Sequence, residues 1–266
     1  DNVVNILDNT SDEILDYCGN PEAENLKRRG MVMGHVQSGK TMSYACLICK
    51  AADAGYKVII LLTGMSNLLR AQTQKRLDDY FIGRSSDRPG EILGAANRSI
   101  GLPKHPVFAT TVIHDFSIAN ANTLGVTLHN INEPIIFIIK KNINPIRNLS
   151  EWLSTFIVGE TVKQPLLLID DEADNASINT SRHQDKITAI NNGIRGILAL
   201  FSKSSYVGYT ATPFANIFIN AYSDSDMVND DLFPSNFIKL LDPPSNYKGP
   251  DKIFGREEEE YSNIIR

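Results

Sequence analysis

The stretch GHVQSGKT, residues 34 to 41, decides the fold of this 266-residue chain. It has the form G-x-x-x-x-G-K-[ST], which is typical of a backbone loop that cradles phosphate groups. Gly34 and Gly39 let the backbone curl until successive N–H groups face one anion. An apolar strand pattern precedes the loop and a helical pattern follows it. This setting favours a phosphate-binding loop over the alternative, an accidental glycine-rich turn.

The side chains of the loop match the chemistry of a bound nucleotide. Lys40 is placed to reach the β- and γ-phosphates, and the Thr41 hydroxyl to bind Mg²⁺. The following helix directs its positive end at the phosphates. We therefore predict ATP and Mg²⁺ as cofactors, with six cofactor-binding residues: Gly34, Gln37, Ser38, Gly39, Lys40 and Thr41.

Apolar runs alternate with helical patterns along the chain, and several runs are apolar on both faces. This pattern indicates an α/β fold with a mostly parallel central sheet covered by helices on both faces. In such folds ligands bind at the carboxyl ends of the strands. We predict helices at 40–54, 66–82, 144–158 and 186–202, and strands at 31–34, 57–63, 107–113, 134–142, 165–174 and 205–213.

The acidic motif DEAD, residues 171 to 174, ends one of these predicted strands. Asp171 is placed to bind Mg²⁺, and Glu172 to orient and deprotonate an attacking water molecule. We assign Asp170 no direct role. A solvated acidic turn is the alternative, but the order of the two motifs and their strand-end positions favour the catalytic interpretation. The predicted catalytic residues are Lys40, Asp171 and Glu172, and the predicted metal ligands are Thr41 and Asp171.

Two further polar stretches follow predicted strands. In GYTATP, Thr210 and Thr212 could bond to the acidic motif or to a nucleic acid, or could form a structural cap. In LLTGMSNLLRAQTQKRL, the start of a helix follows Thr63 and Gly64 and offers an anion site. Arg70, Gln72 and Gln74 then follow on this helix, and a solvated helix face is the alternative for them. Lys140, Lys141 and Asn142 form a small basic cluster that could touch a phosphate backbone or lie on the surface.

Composition narrows the class of protein. The net charge of −5 does not suggest a nucleic-acid binder over its whole surface, although a local basic groove stays possible in principle. The three cysteines are too few for a disulfide framework, which indicates a reducing, cytoplasmic compartment. Neither a membrane span nor a signal peptide is predicted. The five histidines show no metal-binding spacing, and His35 occupies a variable loop position.

The order of these motifs resembles the first motor domain of superfamily 2 helicases and translocases. GHVQSGKT is similar to motif I, LLTGMSNLLRAQTQ to motif Ia, DEAD to motif II and TAT to motif III. The resemblance spans about residues 30 to 215. More narrowly, ADAGYKVIILLTGMSNLLRAQTQKRL, IIKKN and GYTATPFAN are similar to the Z1 family, endonuclease-associated ATPases of bacterial restriction and phage-defence systems.

The resemblance implies a RecA-like fold, ATP and Mg²⁺, and DNA, double-stranded, as partner. It further implies a longer chain with a second motor domain, and a nuclease or methyltransferase subunit. Lys40, Thr41, Asp171 and Glu172 carry over directly. The implied nucleic-acid or coupling residues are Thr63, Gly64, Arg70, Gln72, Lys140, Thr210 and Thr212. Neither a Q-x-x-G-R-x-x-R-like segment nor a nuclease constellation is found, so we expect weak hydrolysis by this chain alone.

We therefore predict three regions: a helical extension at 1–29, the ATPase motor domain at 30–222, and a polar extension or linker at 223–266 toward a second domain. Two rival functions stay open. One is an ATPase switch that controls a protein partner without nucleic acid. The other is a degenerate scaffold that binds no nucleotide, against which the intact Lys40, Thr41, Asp171 and Glu172 speak.

Overall fold

The computed structural model describes residues 2–35, 39–94, 106–175, 189–212 and 232–242. Seven strands in these residues form one sheet, in which every pair is parallel. The order across the sheet is β3-β4-β2-β5-β6-β1-β7. The strands are Leu26–Met33 (β1), Val58–Thr63 (β2), Val107–Phe108 (β3), Ile135–Lys140 (β4), Leu166–Asp171 (β5), Lys203–Thr210 (β6) and Phe237–Leu240 (β7).

Helices connect the strands, as parallel strands require. The described α-helices are Asn2–Cys18 (α1), Lys40–Ala54 (α2), Asn67–Leu77 (α3), Ile118–Thr123 (α4), Ile143–Ser154 (α5) and Ala189–Leu200 (α6). A π-helical turn, Asp78–Ile82, extends α3, and a short 3₁₀ helix spans Leu128–Asn130. The predicted bounds of α2 are confirmed, and Gly55 ends it in a left-handed conformation. Ser66 caps α3 as predicted, because its hydroxyl accepts a hydrogen bond from the Leu68 N–H.

The sheet is buried on both faces. One hydrophobic core packs α1, α2 and the end of α3 against side chains such as Ile59 and Leu167. The other packs α4, α5 and α6 against side chains such as Ile60 and Leu168. Alternate residues of each central strand therefore enter different cores, and this is why the strands are continuous apolar runs in the sequence. The predicted α/β class, with a parallel central sheet covered by helices on both faces, is confirmed.

The strand bounds differ from those predicted, as β1 and β3 illustrate. β1 begins at Leu26, five residues before the predicted start, and its polar first half pairs with β6. The predicted strand at 107–113 is only two residues long as β3. After Phe108, the hydroxyl of Thr110 accepts a hydrogen bond from the Ile138 N–H at 3.0 Å, in the place that a backbone carbonyl would take. A side chain therefore ends the ladder where apolarity alone predicts its continuation.

β7 lies in the region predicted as a polar extension, of which residues 232–242 are described. It pairs with β1, and Phe237 packs on Tyr17 with ring centroids 5.1 Å apart. Gly30 makes this possible, because a Cβ there would lie 2.0 Å from the Phe237 ring. Part of the extension thus completes the sheet, while the division into three regions stays a prediction. No helix in the described part of the chain is long and apolar enough to cross a bilayer.

Candidate nucleotide site

The carboxyl ends of β1, β2, β5 and β6 surround one open cavity of about 970 Å³. The loop that leaves β1 is anchored there, since the Gly34 N–H donates to the Thr210 carbonyl at 3.1 Å. The side chains around the cavity come from both main sequence motifs and from α3. They include Lys40, Thr41, Tyr44, Gln72, Arg76, Asp171, Glu172, Asp174, Thr210 and Thr212, together with the backbone of Gly39 and Gly64.

The end of the phosphate loop has the conformation that its sequence predicts. Gly39 has a φ of 89°, a region that only glycine adopts readily, and α2 begins at the next residue. Lys40 Nζ donates to the carbonyls of Gly34 at 3.1 Å and of His35 at 3.0 Å. Burial lowers the pKa of Lys40, and the nearby Asp171 acts in the opposite direction. Gln37 and Ser38 lie outside the described residues.

Asp171 and Glu172 lie across the cavity from this loop. The Tyr44 hydroxyl donates to Asp171 Oδ2 at 3.3 Å. Burial raises the pKa of Asp171 to about 6, and the charge of Glu172 adds to this effect. Glu172 is exposed and has a φ of 55°, which is uncommon for a residue other than glycine. Such backbone strain is concentrated at functional sites.

The amine of Lys141 holds the acidic turn together from inside. It forms an ion pair with Asp170 Oδ1 at 2.7 Å, and both side chains are buried. It also donates to the carbonyls of Asp171 at 2.8 Å, Glu172 at 2.6 Å and Asn175 at 3.0 Å. The interpretation of Lys141 as a phosphate-contacting or surface residue is therefore wrong. The charge of Lys141 is instead compensated within the fold by Asp170.

The two threonines of the TAT stretch bond to the acidic motif. Thr210 Oγ1 donates to Asp174 Oδ1 at 2.7 Å, and the Thr212 hydroxyl donates to Asp174 Oδ2. The Thr212 N–H closes the arrangement by donating to Thr210 Oγ1 at 2.9 Å. Thr210 is buried and Thr212 is exposed. Of the alternatives open from the sequence, the structure shows the contact between β6 and the acidic motif.

The start of α3 is more deeply integrated than its polar sequence indicates. Thr63 is buried and donates to the Ile139 carbonyl at 3.2 Å. Arg70, only 2% exposed, donates to the carbonyls of Thr111 and Val112, each at 2.8 Å. Burial lowers the pKa of Arg70, with Asp115 opposing the shift. A solvated face is therefore the wrong interpretation for Arg70, and its guanidinium is directed into the protein instead of toward a nucleic acid.

The remaining predicted contact residues have mixed positions. Gln72 is exposed and lines the cavity. Lys140 is half-buried, and its amine donates to Asn67 Oδ1 at 2.9 Å. Gly64 lies against the acidic motif, since an added Cβ would be 3.2 Å from Glu172 Oε2. Gly64 thus belongs to the surroundings of Glu172.

Three cavity or turn residues have roles that sequence reasoning did not assign. Tyr44 lies three positions after Thr41, one helical turn along α2, and this spacing could have indicated it. Arg76 reaches the cavity from the last turn of α3, with Nη1 3.4 Å from Thr41 Oγ1. Lys141 follows a strand directly, but no spacing distinguishes it from its neighbour Lys140. The contact partners of long side chains cannot be predicted from the local sequence.

The residues present fit a nucleotide with a divalent ion. Thr41 and Asp171 offer the hydroxyl and carboxylate oxygens that Mg²⁺ prefers. The raised pKa of Asp171 means that its negative charge is insufficiently compensated, which a cation would correct. The described residues contain no group of three or more His, Cys, Asp or Glu side chains arranged to hold a metal ion alone.

Comparisons with known proteins give limited similarity. No family model matches the chain, and no curated protein matches it. Among solved structures, an ATP-dependent Type ISP restriction-modification enzyme, LlaBIII, bound to DNA, is similar with 14% identity and a TM-score of 0.44. Mss116p bound to ssRNA and AMP-PNP is similar with 15% identity and a TM-score of 0.43.

Neither similarity extends over a whole protein. The matches cover 77% and 89% of this chain, but 12% of the LlaBIII chain and 42% of the Mss116p chain. Similarity this low identifies neither a ligand nor an activity. The Z1 resemblance is not confirmed by any of these comparisons.

Proposed function

We propose that this chain is the ATP-binding and ATP-hydrolysing motor domain of a DNA translocase or helicase of the Z1 type, acting in restriction or phage defence. One observation supports the proposal above all: Lys40 lies in the same cavity as Asp171 and Glu172, at the carboxyl edge of a parallel sheet. Lys40 and the acidic motif are far apart in sequence, and their presence around one cavity supports the proposal.

Each residue has a chemical task in this proposal. Lys40 exchanges its two carbonyl partners for phosphate oxygens, and Thr41 with Asp171 would hold Mg²⁺. Glu172 orients a water molecule and accepts its proton. Bound ATP supplies the phosphoanhydride bond whose hydrolysis drives motion. The contacts of Thr210 and Thr212 with Asp174 would couple the acidic motif to a nucleic acid bound at the end of β6.

The partners follow from the same proposal. They are double-stranded DNA, a second motor domain in the same longer chain, and a nuclease or methyltransferase subunit, in the cytoplasm. Gln72 is a suitable direct contact to DNA because it is exposed at the carboxyl edge, whereas Arg70 and Thr63 act through the packing of α3. Lys140 is a half-buried cation at this edge, and its amine donates to Asn67.

A switch that controls a protein partner is the second candidate, and one observation favours it. The inward direction of Arg70 and the burial of Thr63 remove two of the predicted nucleic-acid contacts. Adding double-stranded DNA to the full-length protein separates the candidates. A motor should hydrolyse ATP several-fold faster with DNA, whereas a protein switch should hydrolyse ATP at the same rate with and without it.

A pair of variants tests the nucleotide site itself. Lys40→Ala should weaken ATP binding at least about 100-fold, because it removes a charge-assisted bond to phosphate. Glu172→Gln should bind ATP normally and stop turnover, because the amide cannot accept a proton. Calorimetric titration and phosphate release measure the two effects. Lys163→Ala, an exposed cation away from the cavity, is the control. Equal ATP affinity in wild type and Lys40→Ala would refute the site.

A further inference from the structure

Arg76 brings a second cation to the cavity that Lys40 lines. It lies in the last turn of α3, and its Nη1 is 3.4 Å from Thr41 Oγ1. Both residues line the same cavity as Glu172. The guanidinium therefore lies beside the Thr41 hydroxyl, the proposed metal ligand at the end of the phosphate loop.

Arg76 forms no ion pair within 4.0 Å in the described part of the protein. Its contact with Thr41 is the one hydrogen bond that the guanidinium makes among those residues, and no described carboxylate lies within 4.0 Å of it. Nearby arginines differ. Arg70 donates to two backbone carbonyls, and Arg88 forms an ion pair with Glu91 at 3.1 Å. Arg76 is thus exposed, and its remaining donors are available to a ligand.

The backbone that carries Arg76 is fixed by buried polar contacts. Gln74 Nε2 donates to Asp78 Oδ1 at 2.9 Å, and Thr110 Oγ1 donates to Gln74 Oε1 at 2.8 Å. All three of these side chains are buried. Such a network holds the last turn of α3 in one position, so the side chain starts from a fixed point.

We propose that Arg76 is a catalytic residue supplied by the same chain, whose guanidinium donates to oxygens of the terminal phosphate of the bound nucleotide. This inference rests on the proposed ATPase function and goes further, because it names the cation that the sequence did not reveal. Guanidinium groups match phosphate oxygens with paired N–H donors.

The role in hydrolysis follows from where charge develops. The oxygen of water bonds to the terminal phosphorus, the bond from that phosphorus to the bridging oxygen breaks, and Glu172 accepts the proton of the water. Negative charge on the transferred group and on the departing diphosphate is stabilised by Arg76 and Lys40. A cation from the same chain would let this domain hydrolyse ATP slowly by itself.

The test compares triphosphate with diphosphate binding. Arg76→Ala should weaken binding of AMP-PNP with Mg²⁺ about tenfold and change ADP binding less than about twofold, because only the triphosphate has the terminal group. Arg76→Lys should restore part of the difference. Lys75→Ala, an exposed cation on the same helical turn that does not line the 970 Å³ cavity, is the matched control. Turnover by Arg76→Ala should fall about 100-fold.

The outcomes separate this inference from the proposal on which it rests. An unchanged ratio of AMP-PNP to ADP affinity in Arg76→Ala would overturn the role of Arg76, and so would an equal loss for both nucleotides. If wild type binds neither nucleotide, the proposed function itself fails. Thermal melting of each variant without nucleotide checks the fold, and Arg76→Lys decides the matter if Arg76→Ala is unstable.

Discussion

The two walls of the cavity at the carboxyl edge of the sheet are built differently. On the acidic wall, Asp170 is paired with Lys141, and Asp174 accepts from Thr210 and Thr212. On the cationic wall, Lys40 donates only to carbonyls of its own loop, and Arg76 contacts only a hydroxyl among the described residues. Asp170 and Asp174 are thus held by the protein, while the cationic wall has its charges available for a ligand.

This difference reflects two functional requirements, fixed carboxylates on one wall and cations that can exchange partners on the other. A carboxylate that must hold a metal ion and aim a water molecule needs fixed geometry before any ligand arrives. A cation that must follow phosphate oxygens needs weak partners that it can exchange. Asp171 lies at the boundary: it is held by the Tyr44 hydroxyl, yet its raised pKa shows that its charge lacks compensation.

Among the variants of the acidic wall, Lys141→Met should have the largest effect. The variant leaves the buried Asp170 carboxylate with Tyr206 as its remaining described partner, and it removes the donor to three carbonyls. Breaking a buried ion pair costs about 3–5 kcal/mol. Urea unfolding should show this loss in the free energy of unfolding, together with loss of Mg²⁺-dependent nucleotide binding.

Lys140→Met is the matched control for this variant. Its amine is half-buried and donates to one asparagine side chain, Asn67. Its loss should therefore cost less than about 1 kcal/mol. If both variants lose the same stability, Lys141 does not hold the acidic turn, and the contrast between the two walls is wrong.

Asp171→Asn should raise the free energy of unfolding, whereas Lys141→Met should lower it. With a chelator present, we expect the variant to be more stable than wild type by about 3 kcal/mol at pH 7, because burial disfavours the charged carboxylate. The pKa of Asp171 rises from 3.8 to about 6 in the folded state. Wild type therefore loses stability as the pH rises from about 4 through 6, because its folded state must release a proton that it holds more tightly than the unfolded state does.

Urea unfolding at several pH values measures this effect. The stability difference between Asp171→Asn and wild type should be largest at pH 7 and should vanish near pH 4, where folded wild type carries the proton. A variant no more stable than wild type at pH 7 would show that the charge of Asp171 is already compensated. The predicted metal ligand would then have no electrostatic need for a cation.

The sequence predicted the framework of this site for physical reasons. Gly39 and the apolar runs of β2 and β5 are local signals, because a left-handed turn requires glycine and a strand buried on both faces requires apolar residues. The facing of Lys40 and Asp171 follows from parallel strands ending at one edge. These features are predictable because short stretches of sequence determine them.

The interior roles of long polar side chains were not predictable in the same way. Arg70, Lys141 and Arg76 are all cations that follow strands or lie on α3, yet two are buried in the fold and one faces the cavity. The difference depends on partners distant in sequence, such as the Thr111 carbonyl for Arg70 and Asp170 for Lys141. Tertiary contacts determine the roles of these side chains, and the periodicity of the local sequence does not predict such contacts.

The prediction with the smallest effect concerns Gly64→Ala, which should displace the Glu172 carboxylate by a few tenths of an ångström. A Cβ at Gly64 would lie 3.2 Å from Glu172 Oε2 and 3.1 Å from Leu69 Cδ1, so Gly64→Ala should displace the Glu172 carboxylate slightly. Because catalysis is sensitive to small misplacements, turnover should fall several-fold while nucleotide affinity changes less than about twofold. Gly196→Ala is the control, since a Cβ there meets no atom within 4 Å. A loss of affinity instead of turnover would mean that Gly64 contacts the nucleotide, and that Glu172 is not the group it confines.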